Sequence, residues 1–196
     1  MAKYTVISDV SRSIVDLLKD KLVPEPVSKV ENIGLCEPKE RGSFVVGIHP
    51  YDIKILDELA TQQDVVLPDG SVQNPPTVYQ VNYVISISSK AEVASRAIDE
   101  QRILGKIIQV LADTPNLPEE YMPETLRVSN ETIGVSMLKL DLEEKVKIWS
   151  MFSEPYKLSV FYSVGPIYVD SEIIKRPSKR VTTVDIRSDQ MQREGE

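Results

Sequence analysis

The chain has 196 residues, 41% of them hydrophobic, and a formal net charge of -7. That is enough length and apolar content for one packed domain, and it excludes a disordered polyelectrolyte. The acidic balance argues against a nucleic-acid partner or an anionic membrane surface, both of which require a basic face. A single cysteine, Cys36, rules out an intramolecular disulfide and fits a reducing compartment. Asp9 interrupts the N-terminal segment before any long apolar run, so no secretory signal is expected. No stretch approaches the roughly 18 apolar residues of a membrane helix.

Val10, Ile14, Leu17, Leu18 and Leu22 recur at helical spacing and predict a first helix. Ser8 or Asp9 is its expected cap, and Arg12, Asp16, Lys19 and Asp20 its outer face. Pro24 and Pro26 stop it, and residues 24–42 read as irregular. Residues 43–55 read as a strand around Phe44, Val45, Val46 and Ile48, with Pro50 marking an edge, bulge or bend. Residues 59–76 read as a surface loop, with a short hairpin turning at Pro68-Asp69-Gly70. The clearest strand runs from Thr77 to Ile87. Tyr79, Val81, Tyr83, Ile85 and Ile87 form its core face, and Gln80, Asn82 and Ser86 a half-polar face for solvent or a neighbour.

The strongest helix follows, with Ser89-x-x-Glu92 as its expected capping box. Its stripe is Ala94, Ala97, Ile98, Leu104, Ile108 and Leu111, widened by Ile103, Ile107 and Val110. Gln101 and Gly105 interrupt the stripe. Gly105 costs about 1 kcal/mol relative to alanine and lets a second backbone approach. Residues 125–129 and 133–138 read as short strands joined around Asn130. A third helix opens on the capping box Asp141-x-x-Glu144, with Leu142, Val146, Trp149 and Met151 or Phe152 as inner residues. Residues 157–164 alternate again, Gly165-Pro166 is expected to turn, and residues 167–174 return. The order predicts an α/β fold of the α+β type: a mixed, largely antiparallel sheet backed by two to three helices.

The C-terminal residues differ from the rest. Lys175, Arg176, Lys179 and Arg180 bring four cations together, followed by a β-prone run from Val181 to Ile186. Residues 175–196 hold six basic and four acidic side chains, so this part is +2 and the remainder -9. The expected division is a domain over 1–174 and a basic, partly extended arm over 175–196. A strand on a basic tether either closes its own sheet or adds to the edge of a partner's. Lys175, Arg176, Lys179, Arg180, Val181, Val184 and Ile186 are therefore candidate protein-interface residues, against the plainer reading of a solvated tail.

The residues offer little chemistry. His49, the only histidine, reads as a structural strand-edge residue, and Cys36 as a small buried thiol. Asp99-Glu100, Glu119-Glu120 and Glu143-Glu144 are assigned to a solvated helix face, a loop and a capping position rather than to acid–base work. Trp149 reads as core or interface, and Tyr79 and Tyr83, two apart on one strand, read as core. No nucleotide, nucleophile-elbow or metal-ligand motif occurs. A pocket holding two or more of those carboxylates would be the sign of an enzyme.

Four segments together resemble one family: Leu22-Val-Pro-Glu-Pro-Val27, Ile33-Gly-Leu-Cys36, Val46-Gly-Ile-His-Pro-Tyr-Asp-Ile53 and the run Arg96 to Leu111. The family is the tail cap, or tail terminator, of phage-tail-like contractile injection systems, of the antifeeding prophage and Photorhabdus virulence cassette type. The resemblance covers roughly residues 1–170. It implies a homo-hexameric ring at the end of the tail farthest from the baseplate, ending growth of the inner tube and the sheath. Tube and sheath subunits are the implied partners, with no enzyme activity, cofactor, nucleic acid or membrane. Assembly would be cytoplasmic, with release by lysis as part of a particle. The alternatives are another structural adaptor of the same particle, at the tube end or baseplate, and a small-ligand-binding protein or hydrolase.

Overall fold

A computed structural model describes residues 4–60, 63–127 and 132–175. Helix α1 (Val6–Leu22) forms where the periodicity predicts and buries Val10, Ile14, Leu17, Leu18 and Leu22. It starts earlier than expected. Thr5 precedes it without a side-chain cap, so Ser8 and Asp9 lie inside the first turn. Asp9 is buried there because the hydroxyls of Thr5 and Thr125 donate to its carboxylate at 3.0 and 3.3 Å.

A five-stranded sheet carries the fold, in the order β1-β2-β5-β7-β6. Its strands are β1 (Ile33–Leu35), β2 (Val46–Ile55), β5 (Thr77–Ile87), β6 (Gly134–Met137) and β7 (Ser159–Val169). Only β1 and β2 run parallel within it, so the sheet is mixed and largely antiparallel. Strand β1 lies inside the segment expected to be irregular. Three residues between prolines are too short for alternation to show, and it exists because β2 offers an edge to pair with. Pro50 sits where β2 has run past β1, and the register against β5 shifts between Pro50 and Asp52, so the expected bulge is present.

Gly165-Pro166 does not turn. Strand β7 continues through it, with Tyr79 paired to Ile167 and Val81 to Val164, so two residues of β7 oppose Gln80 alone. A side chain at 165 would lie 3.0 Å from the Tyr79 carbonyl oxygen and 3.2 Å from the Gln80 Cα. Glycine permits this close approach, and the bulge accommodates a proline that cannot donate to the ladder. Residues 124–127 form a short helix, α3 (Glu124–Arg127), rather than a strand, with Leu126 buried as its anchor.

The expected hairpin forms from β3 (Val65–Val66) and β4 (Val72–Gln73), closed by the Gly70 amide donating to the Leu67 carbonyl at 2.9 Å. A last strand, β8 (Ile174–Lys175), pairs with β4. These three make a small sheet that prolongs the β5–β7 ladder: Thr77 faces Val169, the Asn74 amide meets the Ile173 carbonyl, and Val72 faces Lys175.

The two faces of the large sheet hold separate cores. α1 and the second half of α2 (Val93–Asp113) cover Val46, Ile48, Val81, Tyr83, Ile85, Val160, Tyr162 and Val164. The opposite face gathers Val84 and Phe161 under Trp149 and Phe152, at the end of α4 (Leu142–Met151). The Asp141–Glu144 capping box of α4 is complete, with both hydrogen bonds at 2.8 Å. Of the inner residues expected on α4, Trp149 and Phe152 are buried, whereas Leu142, Val146 and Met151 are exposed. The helix meets the sheet through its last turn, and its first turns stand clear.

Candidate assembly surfaces

The largest departure from the expected pattern is in α2. Ile103, Leu104, Ile107, Val110 and Leu111 are buried, yet everything from Val93 to Ile98 is exposed. Val93 is 83% and Ile98 64% exposed. The apolar stripe therefore runs off the core onto an exposed helical surface. Gly105 lies on that surface, and a side chain there would meet nothing within 4 Å among the described residues. Packing among the described residues does not account for the glycine.

Ser89 does not cap this helix; Glu92 occupies the cap position without a side-chain bond. The Ser89 hydroxyl instead donates to Asp99 and accepts from the Ala91 amide at 3.0 Å, and the Ser89 amide donates to Glu100 at 3.0 Å. Asp99 and Glu100 are thus partly buried and clasp the loop ahead of α2, rather than lying on a solvated face. Of the expected acid pairs, Asp99, Glu100 and Glu144 each line a groove separately, and those grooves hold one such carboxylate apiece.

The second face of β5 is not an open contact surface. Val84 lies under Trp149, Asn82 donates to Asp52 at 3.1 Å, and Ser86 accepts from the half-buried Arg41 guanidinium. Burial lowers the Arg41 pKa. Tyr83 is core as expected. Its hydroxyl shares a 2.8 Å hydrogen bond with Ser11, and burial pushes its pKa up to about 12. Tyr79 is only partly buried, because the bulge opposite Gly165 falls beside it. His49 packs edge-on against Phe152 at 5.3 Å, and burial lowers its pKa. Cys36 is partly exposed, with its thiol pKa raised by burial. Among the described residues, no group of three His, Cys, Asp or Glu side chains is placed to hold a metal, and no helix is long and apolar enough to cross a membrane.

Of the candidate interface residues, Lys175 is placed on β8, opposite Val72 and 3.9 Å from Asp64. Arg176, Lys179, Arg180, Val181, Val184 and Ile186 lie outside the described residues. Around Lys175, Val65, Val66, Ile173 and Ile174 are exposed, and so are Ile53 and Ile55 at the end of β2.

A second surface, not foreseen from the pattern, lies at the opposite end of the sheet. A groove of about 560 Å³ separates the outer face of α1 from strand β1, lined by Arg12, Val15, Asp16 and Lys19 on one side and Ile33, Leu35 and Phe44 on the other. Strand β1 is the terminal strand of the sheet. The only signal in the sequence was the apolar pair Ile33 and Leu35, on either side of Gly34.

The chain matches the family model described as the Pvc16 N-terminal domain over residues 9–183. It belongs to the Pvc16 N-terminal domain family. No curated protein matches its sequence. Among solved structures, it is similar to the sheath/tube terminator of an extracellular contractile injection system, PVC, in the extended state, with a TM-score of 0.63 and 18% identity. That likeness covers 98% of this chain and 66% of the other. It is also similar to the tube-terminating cap of the anti-feeding prophage, with a TM-score of 0.61 and 13% identity, over 92% of this chain and 61% of that one. This chain therefore spans less than two thirds of the length of each of those terminators. The Pvc16 N-terminal fold is the mixed, mainly antiparallel sheet with flanking helices described above.

Proposed function

We propose that this Pvc16-family chain is a structural cap. It forms a homo-hexameric ring at the baseplate-distal end of a contractile injection system and ends polymerisation of tube and sheath. The observation that carries this reading is the sharing of one fold, over 98% of this chain, with a sheath/tube terminator, within a matched family. The exposed apolar half of α2 and the exposed first turns of α4 support it, because a ring subunit completes its apolar burial only against neighbours. The role is non-enzymatic and needs no cofactor, nucleic acid or membrane. Sheath and inner tube subunits are the partners, and assembly in the cytoplasm precedes release by lysis. Residues 1–174 form the body, and residues 175–196 a basic arm that engages neighbours through Lys175 and the run after it. Charge separation between a -9 body and a +2 arm suits head-to-tail closure, which must form a ring to avoid a filament.

Deleting the gene in its native particle cluster tests the proposal. Particles of uncontrolled length or with unstable sheath are expected, with the subunit located at the baseplate-distal end in the intact strain. Particles of normal length would contradict it. A subunit found at the baseplate would favour an adaptor role instead.

A further inference from the structure

We infer that His49 is a pH-sensitive catch on α4: protonating its ring loosens the helix from the sheet, so that in mild acid the helix opens more often while the rest of the fold holds. The inference goes beyond the cap reading and does not depend on it.

The catch sits where the fold is thinnest. α4 meets the sheet through Ile148, Trp149 and Phe152, at its last turn, whereas Leu142, Val146 and Met151 are exposed. Trp149 donates its indole N–H to Ser159 at 2.9 Å and stands edge-on to Phe152, with ring centres 6.2 Å apart. Phe152, which ends the helix, stands edge-on in turn to His49 at 5.3 Å. Ser153 follows at φ 55°, a left-handed conformation that serine holds at a cost, so the backbone of the joint adds no stability of its own. An element held by so few buried contacts opens locally well below the cost of global unfolding.

His49 is the one histidine of the chain, and histidine is the side chain whose ordinary titration falls between about pH 5 and 8. It lies on β2 opposite Val84, so both project to the α4 face of the sheet. Its ring is half-buried, and among the described residues it makes no hydrogen bond or ion pair. An imidazolium there would lose water without gaining an acceptor. β5 presents Val84 to it and the end of α4 presents Phe152, both uncharged; the loop after β1 presents Glu37, which favours the charged form. Burial outweighs Glu37 and holds the ring's pKa below the ordinary 6.5 while α4 is docked. With α4 undocked, the ring regains water and its ordinary value. The open form therefore binds the proton more tightly. Docking has full support from His49 above pH 6.5 and loses it as pH falls through the docked value. Opening uncovers Val84, Trp149, Phe152 and Phe161 together, which turns a buried cluster into an apolar surface.

Hydrogen exchange of the whole chain tests this, run from about pH 7.5 to about pH 5, a span that brackets the ordinary histidine pKa. After correction for the intrinsic pH dependence of exchange, protection of the α4 amides should fall about two-fold or more on acidification while that of α1 and β5 holds. In His49→Gln, neutral at every pH, the acid loss should disappear. Equal protection of α4 at the two pH values overturns the inference, as does an acid loss that persists in His49→Gln or is shared equally by α1 and β5. The unaltered chain supplies a second measurement, because its one imidazole gives an unambiguous NMR titration. The midpoint should lie below 6.5, and a midpoint at or above that value overturns the inference.

Discussion

The two faces of the central sheet are built on different scales. On one, α1 and the second half of α2 bury a continuous core that reaches from Val6 to Ile167. On the other, α4 is held by a patch of four buried residues centred on Trp149, which is fully buried and donates its indole N–H to Ser159 at 2.9 Å. The first face makes the fold; the second anchors one helix by its last turn and leaves the rest of it outside. The same economy recurs in α2, whose second half is core and whose first half is surface. A chain built this way leaves apolar helix surface exposed without weakening its own core.

That contrast can be broken from its strong side first. Leu18→Ala, at a fully buried position on α1, should cost about 4 kcal/mol of global stability, read by denaturant unfolding. Trp149→Ala should cost about 3 kcal/mol, but locally: hydrogen exchange should show α4 opening while α1 and β5 stay protected. Equal loss of protection on both faces would show that the two cores are one cooperative unit. Asp141→Ala should remove the capping box and lower the stability of α4 by about 1 kcal/mol.

Tyr83 sharpens the first face by its titration. Its folded pKa of about 12 stands above the ordinary value of 10, so the neutral hydroxyl is the form the fold favours. Its contribution is intact below pH 10 and is lost as pH rises towards 12. Tyr83→Phe should cost about 1 kcal/mol at neutral pH and reduce the alkaline loss, with Tyr51, also raised to about 12, retaining a share. The smallest effect on stability is expected at Ile98→Gln, within about 0.5 kcal/mol. Its measurable effect should be weaker self-association, followed by sedimentation; unchanged association would remove α2 from the contact surfaces.

Much of this architecture was legible where periodicity and burial coincide: α1, β5, the Asp141 capping box and the hairpin at Gly70. What escaped depended on partners distant in sequence. Strand β1 is recognisable only once β2 lies beside it. Gly165-Pro166 looks like a turn until Gln80 is placed opposite, and Ser89 looks like a cap until Asp99 and Glu100 fold back over it. The stripe on α2 announced an apolar face but not that half of it would be left uncovered, since periodicity reports what is apolar and not what covers it. The candidate arm was visible as composition, while the groove at β1 was not, because an edge is a property of the assembled sheet.

Growth arrest in vitro tests the central claim most directly. Tube and sheath subunits of the same particle are allowed to polymerise, and lengths are measured by electron microscopy with increasing amounts of the purified chain. The account predicts that amounts far below the subunit concentration shorten the polymers and leave a ring at one end. Polymers that keep growing at equimolar chain, with bare ends, would contradict it.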